Sequence, residues 1–443
     1  MGSSLNIAIP VISLDFGITA YAASWISSIY LLATAVFLIP VGRLSDRYGR
    51  VVFFRIGIIL FSAASLLSVF SSSLLSLLIF RIFQGIGSAF LFSTAAAIVV
   101  SIYPPEKRGK ARGIITASVY TGLSSGPFLG GIITHRAGWE SIFLITALIG
   151  FVILLPLAFY LTRENVDKIF AHFRFRSFFL LSISILFVLF GFSAAPRLIG
   201  FVFLAAGILG WALFYFDQKN SNVQIINFNL ISRNKTFRNS NLAALINYSA
   251  TFAVGFLLSF YFQTVKGLTP ESAGIILIIQ PVLQALFSPL AGRLSDRIEP
   301  GVVASIGMAV IAAGLTGLIF IGPDTPNIIL MLILSILGFG FAMFSSPNAN
   351  AIMSSVEKRD YGLASAVMAE MRLIGQAFSM GLVMIIFTIF IGESKVDPSA
   401  ADSFLLSSRI AFSLFAVLCL PGIYLSVRRG SLHEKREIQT EDK

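Results

Sequence analysis

The chain has 443 residues, of which 56% are hydrophobic and only 12% charged, with a mean hydropathy of +0.88. Soluble domains carry about 25% charged residues, and folding in water would leave broad apolar surface exposed, so a row of water-soluble domains is excluded. The net charge of +11 then marks the cytoplasmic side of a membrane rather than nucleic acid, while a single cysteine, Cys419, and three scattered histidines, His135, His172 and His433, exclude a disulfide framework and suggest no zinc or haem site.

A spanning helix needs about 20 apolar residues. The first apolar run, residues 5–14 (LNIAIPVISL), is too short to cross and looks like the second half of a helix whose first half is missing; no basic segment precedes it, so it does not read as a signal peptide. Thirteen segments follow that are long enough: 21–41, 51–70, 74–102, 112–134, 140–160, 175–194, 198–216, 241–262, 272–291, 301–321, 327–350, 362–391 and 405–427. Residues 74–102 and 362–391 are long enough to tilt or to project past the bilayer. Strands of a barrel would be about ten residues long and alternating, which these runs are not. The expected fold is therefore an all-α polytopic membrane protein.

Alternating the connections between these spans sorts the 32 lysines and arginines into 25 on one side and 5 on the other, with Arg81 and Arg372 inside spans. That asymmetry places the C-terminus in the cytoplasm. A missed or invented helix would scramble it.

The chain also repeats itself. Residues 42–47 read GRLSDR, and so do residues 292–297, an offset of 250. Glu106-Lys107-Arg108-Gly109 is echoed by Glu357-Lys358-Arg359-Asp360 at an offset of 251. Two parallel related halves of six helices each are the arrangement of transporters that rock about a central site. Spans 175–194 and 198–216 are then an extra central pair. The expected units are an N-terminal bundle 1–160, a linker with the extra helices 161–237, a C-terminal bundle 238–427 and a charged cytoplasmic tail 428–443. The tail has a composition suited to disorder, and residues 223–231 are apolar enough to lie along the inner membrane surface.

Each GRLSDR copy follows an apolar span and is expected in a short cytoplasmic loop. Gly42 would permit a tight exit from the helix. Asp46 could cap the next helix or pair with Arg43, Arg47 or Arg50. Such a network can latch one conformation; a solvated basic loop is the plainer alternative.

With these motifs in view, the sequence resembles the major facilitator superfamily, and within it the fourteen-span drug:proton antiporter branch, over nearly the whole chain. Gly42-Arg43-Leu44-Ser45-Asp46-Arg47-Tyr48-Gly49-Arg50 matches the superfamily signature between the second and third spans, Arg81-Ile82-Phe83-Gln84-Gly85-Ile86-Gly87 is similar to the RxxQG motif of the fourth, and Gly122-Leu123-Ser124-Ser125-Gly126-Pro127-Phe128-Leu129-Gly130-Gly131 is similar to the antiporter motif of the fifth. Asn6-Ile7-Ala8-Ile9-Pro10 resembles the end of the first span. The resemblance implies two six-helix bundles plus two central helices, a working monomer in a prokaryotic plasma membrane, and proton-driven export. Family members often carry an acidic residue in the first half of the first span; that half is absent here.

Several residues become site candidates. Arg81 is costly inside a span and is a functional candidate by default; the resemblance assigns it to proton coupling, and the alternative is an arginine snorkelling to the outer surface. Gln84 shares its helix face. Gly122, Gly126, Gly130 and Gly131 form a smooth strip for close helix packing, with Pro127 able to bend that helix; the resemblance gives the strip a role in transport direction. Glu370 either titrates as protons cross or is a helix-end carboxylate in water. An arginine placed as Arg372 is beside Gly375 is familiar in the branch. Gly42, Asp46, Arg47, Gly49 and Arg50, with Gly292, Asp296 and Arg297, form the expected conformational loops. Asp15 reads as a cap near the outer mouth.

The expected function is proton-coupled efflux of lipophilic or amphipathic compounds, with a cavity wall drawn from Tyr248, Phe252, Phe256, Phe260, Tyr261, Phe262 and Gln263, though the same aromatics could face lipid. Export of one native metabolite is the nearest alternative, and a non-transporting scaffold or sensor is the alternative from another class. An enzyme is not expected, because no nucleotide loop or paired acid cluster lies in the spans. No cofactor is expected beyond the proton as coupling ion, and the partners are membrane lipids and the substrate, with no nucleic acid.

Overall fold

A computed structural model describes residues 1–102, 108–160, 175–219, 228–357, 361–392 and 401–430. Among them the chain is helical throughout, with no strand. The helices are α1 (Gly2–Asp15), α2 (Ala20–Tyr48), α3 (Arg50–Val69), α4 (Leu74–Ile102), α5 (Arg108–Ala137), α6 (Glu140–Tyr160), α7 (Phe175–Ala194), α8 (Leu198–Lys219) and α9 (Phe228–Arg233). They continue as α10 (Lys235–Thr251), α11 (Val254–Phe260), a π turn (Tyr261–Val265), α12 (Pro270–Leu277), α13 (Ile279–Arg297), α14 (Pro300–Ile319), α15 (Asn327–Ser354), α16 (Tyr361–Phe390) and α17 (Ala401–Val427). Of the sequence features, Glu106, Lys107, residues 358–360, residues 220–227 and most of the tail (431–443) lie outside the described residues.

Among the described residues twelve helices or broken helix pairs are long and apolar enough to cross a membrane. They correspond to twelve of the thirteen expected segments. The thirteenth, 112–134, lies within the 30-residue helix α5, whose Gly, Ser, Thr and basic residues dilute its apolar character. Two expected spans are interrupted. The one at 241–262 breaks at Phe252–Ala253, where the Ala253 amide turns to Ser379 Oγ on α16 at 3.0 Å. The one at 272–291 divides between α12 and α13, just before Pro281, which has no amide to continue the ladder. Polar caps start several helices: Thr19 Oγ1 accepts from the Ala22 amide at 3.1 Å and Asn234 Oδ1 from the Phe237 amide at 2.9 Å.

The repeat read from the sequence is written into the packing. α3 packs on α4 as α14 packs on α15, and α2 on α4 as α13 on α15. A Cβ on Gly85 would sit 2.6 Å from the Tyr30 carbonyl oxygen and 2.7 Å from Ala33 Cβ. A Cβ on Gly338 would meet the Gln280 carbonyl and Leu283, the residues 250 further along. Gly87 presses on Phe61, and Gly340 on Ile311, again 250 apart.

α7 and α8 form a hairpin. α7 lies against both α2 and α16. Ser182 Oγ donates to the Val36 carbonyl at 3.0 Å, and Phe192 meets Phe378 with ring centroids 4.7 Å apart. The extra pair thus flanks one seam between the halves. At α17 the chain does not fray at residue 428: Asn239 Nδ2 donates to the Arg428 carbonyl at 2.9 Å and Thr236 Oγ1 to the Arg429 carbonyl at 2.7 Å, and Arg429 is 1% exposed.

The aromatic residues expected to line a cavity are mostly in the packed core. Phe256, Phe260 and Phe262 are fully buried. Phe256 lies 4.9 Å from Phe260 and 6.3 Å from Phe387, and Phe260 6.0 Å from Phe404. They neither form an open wall nor face lipid. Packing within the second half claims them first.

Candidate functional site

The polar centre of the first half is built where α2, α3 and α4 meet. Arg81 on α4 is 2% exposed, so it does not snorkel to a surface. Its Nε donates to the Ile26 carbonyl at 3.0 Å and its Nη1 to Gln84 Oε1 at 2.8 Å. The guanidinium stands 4.2 Å from the centroid of the Tyr30 ring, a cation–π contact in a desolvated place. Gln84 Nε2 donates in turn to Ser65 Oγ on α3 at 2.8 Å, and Tyr30 Oη shares a 2.6 Å bond with Ser88 Oγ. The i, i+3 spacing on α4 brings Arg81 and Gln84 together, while Tyr30, Ser65 and Ser88 went unread because no motif marks them.

On α16 of the second half, Glu370 is 3% exposed, and neither carboxyl oxygen has a hydrogen-bond partner among the described residues. The reading of a helix-end carboxylate in water is therefore wrong: Glu370 sits nine residues inside α16, and packing covers it. On a 3.6-residue helix it shares a stripe with Ala377 and Gly381, and Gly381 abuts Phe192 and Ser193 of α7. Arg372 points elsewhere. Its guanidinium lies 5.6 Å from the Phe92 ring of α4, bridging the halves, and it forms no ion pair with Glu370, as i, i+2 spacing requires.

The glycine strip of α5 serves two neighbours. Gly126 and Gly130 admit Ser3 and Ser4 of α1. Gly131 lies on the Pro270 carbonyl and Gly274 of α12 on the Pro127 carbonyl, so this part of the strip is a contact between halves. Gly122 has no atom of the described residues within 4 Å of its Cβ position. Arg136 and Glu271 add a 3.3 Å ion pair to the same seam, and Gln263 Nε2 donates to the Ile7 carbonyl at 2.9 Å. Asp15, at the end of α1, accepts from Trp139 Nε1 at 3.0 Å.

The GRLSDR segments are not loops. Gly42, Asp46 and Arg47 belong to α2, and Gly292, Asp296 and Arg297 to α13. Gly42 makes no tight exit; its Cβ position lies 3.4 Å from Ser93 Cβ on α4, as that of Gly292 lies 3.0 Å from Ser346 Oγ on α15. The turn falls at Gly49, whose φ of 109° suits only glycine. Asp46 pairs with Arg50 Nε at 2.8 Å. In the second copy Asp296 instead accepts from Asn350 Nδ2 at 3.3 Å, which also reaches Ser295 Oγ at 3.1 Å.

Two related helix bundles with helices long and apolar enough to cross a membrane are the architecture of transporters built from parallel repeats. The family model described as Major Facilitator Superfamily matches residues 1–380, and the chain belongs to that superfamily of membrane transporters. It is 28% identical over 426 residues to the riboflavin transporter RibZ of Clostridioides difficile (strain 630), covering 96% of this chain and 93% of the relative. It is 27% identical to the multidrug resistance protein Stp of Mycobacterium tuberculosis (strain CDC 1551 / Oshkosh), covering 86% of this chain and 71% of the relative. Among solved structures, a bacterial homolog of the human lysosomal transporter Spinster superposes with a TM-score of 0.66 at 16% identity, covering 97% of this chain and 93% of that one.

Proposed function

We propose that this transporter exports lipophilic or amphipathic compounds in exchange for protons, as a monomer in a prokaryotic plasma membrane with its basic end and C-terminus in the cytoplasm, in the fourteen-span branch of the family. The observation that carries the coupling is Glu370, a buried carboxyl group with neither oxygen bonded among the described residues. Proton uptake removes the charge that its surroundings leave uncompensated, and release restores it. Because α16 packs against both α2 and α7, that change acts at a seam between halves. Arg81, held by Gln84 and Tyr30, supplies a fixed cation in the first half. Relatives named for multidrug resistance support the substrate class.

A second reading, transport of one native metabolite, is favoured by the riboflavin transporter, which this chain matches over nearly the full length of both. One experiment separates the two. Purified protein in proteoliposomes is given an imposed pH gradient and a panel of lipophilic cations, dyes and riboflavin. Gradient-driven movement of several unrelated compounds, lost in Glu370→Gln while substrate exchange without a gradient persists, supports proton-coupled multidrug export. Movement of riboflavin alone supports the second reading. Full gradient-driven transport by Glu370→Gln removes Glu370 from the coupling.

A further inference from the structure

We propose that the second GRLSDR copy holds an anionic phospholipid, headgroup on Arg293 and Arg297 and acyl chain on Leu286 and Leu290. The argument begins with the repeat. Residues Val36, Pro40, Arg43 and Arg47 of α2 recur as Leu286, Leu290, Arg293 and Arg297 of α13, each 250 further on. The spacing i, i+4, i+7, i+11 puts each set on one helix face. On α2 the apolar part of this face is covered by protein: α7 lies along it, Ser182 bonds to the Val36 carbonyl, and Val36 is 7% exposed, whereas Arg43 and Arg47 are exposed. No helix takes the place of α7 on α13 among the described residues. Leu286 is 63% and Leu290 56% exposed.

The uncovered face changes character along its length. Its middle is leucine, and its last two turns carry Arg293 and Arg297, both exposed and with no hydrogen-bond or ion-pair partner among the described residues. A groove open to the outside lies there, lined by Leu290, Arg293, Leu294, Asp296 and Arg297, all of α13. The one acidic lining residue, Asp296, accepts a bond from Asn350 on the α15 side, which leaves the two guanidinium groups to an outside anion. Arginine binds phosphate through paired N–H donors. An apolar strip in the hydrocarbon layer that ends in two arginines at headgroup depth matches a phospholipid of negative charge, which the cytoplasmic leaflet supplies. The lipid would take the place on α13 that α7 takes on α2.

The test is native mass spectrometry of the full-length protein titrated with phosphatidylglycerol or phosphatidylcholine, with thermal unfolding measured in parallel. Phosphatidylglycerol is expected to bind and raise the unfolding midpoint, and phosphatidylcholine to do neither. Arg293→Gln/Arg297→Gln is expected to weaken phosphatidylglycerol binding about tenfold or more, from the loss of two charges near the membrane surface. Arg43→Gln/Arg47→Gln should retain binding. Leu286→Ser/Leu290→Ser, which keeps both charges, should lower the midpoint shift. All substituted side chains but Arg43 and Arg47 lie on the uncovered face of α13, and a monodisperse monomer peak shows each variant folded. Equal binding of both lipids, undiminished binding in the Arg293→Gln/Arg297→Gln protein, or equal loss in the Arg43→Gln/Arg47→Gln protein would overturn the assignment. So would a midpoint shift reproduced by inorganic phosphate alone, which would make the site one for a free anion.

Discussion

The two halves are built on one plan and diverge where a buried charge sits in the first. Their helix–helix contacts repeat almost residue for residue: Gly85 on Tyr30 and Ala33, Gly338 on Gln280 and Leu283. Yet Arg81 corresponds, at the α4-to-α15 offset of 253, to Leu334, which is 1% exposed, and Tyr30 corresponds to Gln280. A duplicated scaffold has kept its small residues where backbones touch and changed its large ones where a charge sits. Packing constrains both copies equally because the close approach is the same; at this position only one copy buries a cation, and there Tyr30, Gln84 and the Ile26 carbonyl hold it.

The largest effect should come from making the halves alike at that position. Arg81→Leu/Gln84→Leu, which supplies the leucines found at 334 and 337, is expected to abolish transport in proteoliposomes and leave the thermal unfolding midpoint close to that of the unaltered protein, because a buried polar network can be replaced as a whole by apolar packing with little loss of stability. Transport at the original rate would show that Arg81 and Gln84 serve packing alone. The glycine contacts should behave in the opposite way. Gly85→Ala and Gly338→Ala are each expected to destabilise by about 1–3 kcal/mol through overpacking, and by similar amounts, because each new Cβ strikes the backbone or side chains of the partner helix. Gly42→Ala and Gly292→Ala, with Cβ positions at 3.4 and 3.0 Å from a serine side chain, should be nearly neutral. Chemical denaturation of the four variants in detergent checks both statements, and unequal effects of the first pair would break the claimed equivalence.

Backbone conformation gives a third, smaller contrast. Gly49 has φ 109°, whereas Glu299 at the matching place has φ −49°. Gly49→Ala is expected to cost about 1–3 kcal/mol in backbone strain. Grafting glycine at position 299 should bring no such strain, and the unfolding midpoints of the two proteins measure the difference.

These contrasts also show what the sequence could tell. Span positions, the two halves and the extra hairpin were legible because apolar length and a repeated hexamer are local signals. Arg81 with Gln84 was legible because a charge inside a span stands out and three residues make one helix face. GRLSDR reads as a loop because its Gly and charged residues resemble turn chemistry, while the helix continues to Tyr48 and the chain turns only at Gly49. Tyr30, Ser65 and Asn350 were illegible because their partners are 51, 19 and 55 residues away. Glu370 is visible as a residue but not as a buried one, since burial depends on how the neighbouring helices pack on α16. The aromatic run after Tyr248 reads as a cavity wall or a lipid-facing strip, because composition cannot say whether a ring faces an opening, lipid, or Phe387 and Phe404.

The smallest contrast lies in the two aspartates. Asp46 and Arg50 form an i, i+4 pair whose side chains are 43% and 33% exposed. Exposed helical pairs are worth about 0.3–0.5 kcal/mol and are screened by salt. Asp296 accepts only from the neutral amide of Asn350, because Pro300 stands where Arg50 stands in the first copy. Asp46→Asn should therefore lower stability by a few tenths of a kcal/mol at low ionic strength, with the difference fading in high salt. Asp296→Asn should give a change of similar size that salt screens less, since no cation pairs with it in the ladder of α13 and α15. Unfolding curves at two salt concentrations for both variants decide this. An equal salt response would mean that Arg293 or Arg297, rather than Asn350 alone, shares the charge of Asp296, and the two copies of the hexamer would then be electrostatically alike despite their different neighbours.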